Sequence, residues 1–180
     1  MLKAMRWIGG FAGLIFFVVI DIGLSYILPY PWSKINLLFA LLIILMLWRG
    51  SGWIVWVAFF THLIIELYTA SPFGVLLASS TLSILFSFWL YKHLFTNRSW
   101  YAAMALAAIT LALFRLFYTV SLLILRLFNV IKIIPWKLML VTFAWEALLT
   151  ISAVGVIYFI VSRFSTRFKS AVITARRFSI

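Results

Sequence analysis

Residues 137–160, KLMLVTFAWEALLTISAVGVIYFI, form an apolar run of 24 residues broken by one carboxylate, Glu146. About 20 apolar residues let an α-helix cross a hydrocarbon core, and a charged side chain inside such a helix is costly. It is therefore expected to face the protein interior, a partner or a polar cavity. The same pattern occurs twice more: Asp21 lies in GLIFFVVIDIGLSYIL (13–28) and Glu66 in VWVAFFTHLIIELY (55–68). These three are the only acidic residues in 180. Asp21 and Glu66 lie late in their runs, where proximity to headgroups competes with burial; Glu146 lies about ten residues past the expected start of its helix.

The whole chain follows this pattern. It is 67% hydrophobic and 10% charged, with a mean hydropathy of +1.20. A soluble domain of this size has too little interior to hide that much apolar material, so an integral, all-α, polytopic membrane protein is expected. The first apolar stretch contains Asp21 and is followed by further apolar runs, so it reads as a retained span and not as a signal peptide. With no cysteine, disulfides and thiol chemistry are excluded. The net charge of +12 does not point to nucleic acid, because most basic residues flank apolar segments and suit anionic phospholipids.

Six helices fit, at about 7–28, 33–48, 53–69, 72–91, 100–125 and 136–161. Pro29 and Pro31 end the first, and Arg49-Gly50-Ser51-Gly52 ends the second. Its strictly apolar part, Ile35 to Trp48, is only 14 residues, roughly 21 Å against a ~30 Å core. It is expected to be shallow, re-entrant or extended by Trp32, Ser33 and Lys34. Ser71-Pro72 reads as an N-cap and first helical residue of the fourth helix. With both termini in the cytoplasm, Lys3, Arg6, Arg49, Lys92, Arg98, Arg163, Arg167, Lys169, Arg176 and Arg177 lie inside and only Lys34, Arg126, Lys132 and Lys137 outside, which supports N-in, C-in. Residues 1–161 are thus a six-helix transmembrane domain. The tail 162–180 reads as a basic amphipathic segment whose Arg163, Arg167, Lys169, Arg176 and Arg177 bind anionic lipid. Between spans five and six, Leu125, Phe128, Ile131 and Ile134 suggest the buried stripe of an interfacial helix.

Small residues mark helix contacts. Ser79, Ser83 and Ser87 recur every four residues on the fourth span, Ala105, Ala108 and Ala112 on the fifth, and Gly9 and Gly13 on the first. Packing within one subunit and docking of a partner both account for such faces. Trp7, Trp32, Trp48, Trp53, Trp100 and Trp136 fall near expected helix ends, as interfacial anchors do.

No catalytic, metal or cofactor motif is found: there is no phosphate-binding loop, no dinucleotide fingerprint and no nucleophile elbow. His62 and Glu66 share a helical face at i, i+4 and are within reach of each other, but a zinc helix needs a second histidine there. Arg115, roughly mid-span in LALFRLFYTV, is expected either to pair with a carboxylate, Glu146 being the best match in depth, or to snorkel or lie near an interface if span five starts later. Such a pair can specify helix arrangement, relay charge or bind solute.

The order of features over residues 28–91 resembles the MreD family, the small integral membrane component of the bacterial rod-shape system. The resemblance rests on a first span ending near proline, a short second span, and a third ending in a Gly-Leu-x-x-Asp-like stretch. Here that stretch runs from His62, in the glycine's place, to Glu66, in the aspartate's, followed by Tyr68-Thr69-Ala70-Ser71-Pro72-Phe73-Gly74. The resemblance implies a six-helix fold similar to substrate-binding subunits of energy-coupling-factor transporters. It also implies a non-catalytic role in the inner membrane, in a hetero-oligomer with a single-span MreC-like scaffold and peptidoglycan synthases. Pro72, Phe73, Gly74, Ser79, Ser83 and Ser87 are the expected partner-binding residues. Two other classes compete: a solute-binding transporter subunit of the same fold, and a small membrane enzyme or ion-coupled carrier using Glu146 with Arg115 or His62 with Glu66.

Overall fold

The computed structural model describes residues 2–69, 71–95, 99–131 and 134–164, with side chains from residue 13 onward except at 14. Every regular element among them is helical: α1 (Leu2–Ile27), a 3-10 turn (Trp32–Lys34), α2 (Leu37–Arg49), α3 (Trp53–Leu67), α4 (Val75–His93), α5 (Trp100–Leu127) and α6 (Trp136–Phe164). α4, α5 and α6 are long and apolar enough to cross a membrane; α2, α3 and the Ile15–Ile27 part of α1 are shorter apolar helices.

The position of α2 organises the bundle. Its sequence, LLFALLIILMLWR, is apolar on every side until its last residue, and a helix of that kind belongs in an interior. Leu38, Phe39, Ala40, Leu42, Ile43, Met46 and Leu47 are at most 2% exposed. α2 touches α1, α3, α5 and α6, while α3, α4, α5 and α6 pack in chain order around it. Its 13 residues span about 20 Å. The 3-10 turn over Trp32–Lys34 precedes it, and most of its side chains meet protein, with Leu41 and Leu45 half-buried and Trp48 exposed.

Helix ends follow local chemistry. α1 stops two residues before Pro29, as the restriction on residues preceding proline requires. Asn36 caps α2, its side chain accepting from the Phe39 amide at 3.0 Å. Gly50, at φ 61°, closes α2 with its N–H on the Met46 carbonyl at 2.8 Å. Ser99 caps α5 through the Ala102 amide at 3.2 Å.

Four expectations need correction. α4 starts at Val75, because Gly74 takes φ 93° and breaks the helical path; Ser71 is no cap, and its hydroxyl is buried without a partner. The chain after α5 forms no helix among the described residues: Asn129 turns left-handed at φ 58°. Phe128 of the supposed stripe is 74% exposed, while Leu125, Ile131 and Ile134 pack on Val75 and Leu122. The packing face of α5 is Ala103, Leu106, Ala107, Thr110, Leu111 and Phe114; Ala105 and Ala112 are exposed. The reason is that Thr110 needs a partner, and its hydroxyl lies 2.7 Å from that of Ser87 across the α4–α5 seam. Gly13 supports no close helix approach, since a Cβ there would meet nothing within 4 Å.

Candidate functional site: the polar cluster at the head of α2

The first amides of a helix have no intrahelical acceptor, and in an apolar surrounding no water supplies one. This fold answers that need with its carboxylates. Asp21 on α1 accepts from the amide of Leu38, the second residue of α2, at 3.2 Å. Glu66 on α3 accepts from the amide of Leu76, the second residue of α4, at 3.0 Å. In each case an acid late in one helix caps the next helix to return, where the dipole also favours negative charge.

Glu146 works at the same end of α2 through an intermediary. Its Oε1 accepts from Asn36 Nδ2 at 3.1 Å, and the Asn36 backbone N–H donates to Thr150 Oγ1 at 3.0 Å. Thr150 lies one turn after Glu146 on α6, so that helix grips the cap twice. Glu146 Oε2 receives Arg115 from α5: Nε donates at 3.0 Å and Nη2 donates to the same oxygen. The rings of Phe114 and Phe143 flank the guanidinium, with centroids 5.7 and 6.0 Å from its central carbon. The cluster thus ties α1, α2, α5 and α6 together at one level.

The pairing of Arg115 with Glu146 is the one expected from depth. The side chains are 20% and 7% exposed respectively. His62 and Glu66 do not bond to each other: His62 Nδ1 lies 2.8 Å from the carbonyl of Ala58, one turn back, and its ring meets Phe39 edge-on at 5.1 Å. The bulk of His62 is accommodated by α2. Glu66 is 3% exposed, and its Oε2 is buried without a hydrogen-bond partner. Among the described residues no three His, Asp or Glu side chains cluster as a metal site.

Ser79, Ser83 and Ser87 are fully buried inside the chain and offer no surface to a partner. Ser79 and Ser83 bond back to the carbonyls of Val75 and Ser80, and Ser87 meets Thr110. Phe73, by contrast, is 71% exposed at the α3–α4 turn, between the partly exposed Pro72 and Gly74. Arg163 is exposed in the last turn of α6, its guanidinium over the Phe159 ring at 4.6 Å. Arg98, Lys132, Arg167, Lys169, Arg176 and Arg177 lie outside the described residues. Trp32, Trp48, Trp53, Trp100 and Trp136 are exposed near helix ends.

Asn36 and Thr150 escaped the sequence reading. An asparagine directly before an apolar run is a helix-start signal, and Thr150 shares a face with Glu146 at i, i+4. No family model, no curated protein and no solved structure matches this chain.

Proposed function

We propose that this chain is a non-catalytic scaffold subunit of the bacterial cell-elongation complex, of the MreD kind. It would span the inner membrane six times with both termini in the cytoplasm, and dock a single-span MreC-like partner and peptidoglycan synthases. The observation that carries this reading is the apolar cap at the α3–α4 turn. Leu67, Tyr68 and Phe73 are 69%, 75% and 71% exposed. They ride on a backbone held by the left-handed Gly74 and by the Glu66 cap on Leu76. An exposed apolar cluster at such a turn suits recognition by another protein. All three carboxylates accept hydrogen bonds from helix ends, a cap or an arginine of the same chain, which suits a structural role.

The test is affinity capture of the tagged chain in mild detergent with identification of the co-purifying membrane proteins. A single-span scaffold and a peptidoglycan synthase are expected, and Phe73→Glu is expected to reduce their recovery while membrane insertion is unchanged. Equal recovery with Phe73→Glu removes this turn from the interface. Solute uptake or lipid turnover by the purified chain alone overturns the scaffold reading.

A further inference from the structure

Between α5, α6 and the chain that joins them lies a cavity of about 320 Å³. It reaches from Ile131 and Ile134 in the connection down to Arg115, twelve residues before the end of α5 and so about 18 Å along its axis. The walls are mainly apolar, with Leu122, Leu138 and Met139 prominent. Three polar side chains interrupt them: Arg115, Tyr118 and Thr142.

A guanidinium carries five N–H donors. One on Nε and one on Nη2 of Arg115 go to Glu146, and the other three find no acceptor among the described residues. The hydroxyls of Tyr118 and Thr142 likewise make no hydrogen bond among the described residues. Donors with no acceptor among the described residues, at the end of an apolar slot, suit an acceptor oxygen carried by an apolar molecule. Charge selects its class. Arg115 and Glu146 form a neutral ion pair, so the guanidinium already has its counter-charge. A further anion gains little in that field, whereas a neutral carbonyl takes the donors and adds no charge.

We propose that this slot binds a single-chain neutral acyl ester drawn from the membrane, its carbonyl oxygen accepting from Arg115 and its tail running toward the α5–α6 connection. The inference needs the membrane location but not the scaffold role, which partner capture tests separately.

The probe is methyl dodecanoate with a diazirine at the chain end, photolysed with the purified full chain in micelles and mapped by mass spectrometry. Adducts are expected on Leu122, Ile134 and Met139. A diazirine alkane of equal length is expected to label these about tenfold less, for want of the hydrogen bond to a charged donor. Met139→Trp is expected to fill the slot and suppress labelling, with Thr142→Leu as a second, smaller obstruction should the tryptophan prevent folding. Equal labelling by alkane and ester overturns the proposal. So do adducts spread over the exposed Leu116, Val120 and Leu123, or labelling unaffected by either obstruction. Stronger labelling by ionised dodecanoate overturns the neutral class.

Discussion

Removing Glu146 strips the guanidinium of its counter-ion and the cap of its anchor, and the magnitude of that loss can be worked from the geometry. At an effective dielectric near 20, opposite charges at 4 Å attract by about 4 kcal/mol, and desolvation offsets part of this. Glu146 is nearly enclosed while Arg115 keeps a fifth of its side-chain surface open, so the carboxylate is the more dependent partner. Breaking it from either side is therefore expected to cost about 1–4 kcal/mol, with the upper end for Glu146→Ala. That substitution also forfeits the Asn36 contact, and it leaves a cation between two aromatic rings with no anion. Arg115→Ala leaves a carboxylate that still has the Asn36 amide. The double replacement is expected to recover about 1–3 kcal/mol relative to additivity. The assay is reversible unfolding in mixed micelles of increasing SDS content, read by tryptophan fluorescence for the four members of the cycle. Additive losses would refute the reasoning, showing that Arg115 reaches its polar surroundings without Glu146.

The cap on α4 makes a second test: Glu66→Gln keeps an acceptor for the Leu76 amide and is expected to change stability by less than about 0.5 kcal/mol. Glu66→Ala is expected to cost about 1–2 kcal/mol in the same assay; equal losses for Gln and Ala would show that the charge, not the cap, is what matters there. For topology, single cysteines at Phe73 and Ser179 of this cysteine-free chain are expected to react from opposite sides of intact cells with an impermeant maleimide. Reaction of both from one side would sink the six-span arrangement.

The sequence by itself determined the all-helical class, the approximate helix limits and the special standing of four charged residues. Each of these is read from one chain segment: apolar runs of helical length, proline and glycine at their ends, and charges too costly to leave unpaired in such runs. The partner of Arg115 was legible for the same reason, since few carboxylates were on offer. What only the tertiary structure decided is which faces meet. α2 is enclosed along most of its length, and enclosure is a property of four other helices. The serine stripe of α4 is spent on the interior, where Ser87 meets Thr110. The alanine face of α5 is left outside because a neighbouring face carries that threonine. The carboxylates were marked as needing partners, yet the partners of Asp21 and Glu66 are backbone amides of the following helices. Every residue except proline has such an amide, so no side-chain pattern announces which of them will be left unpaired at a buried helix start. That depends on where each helix begins in space, and folding alone fixes it.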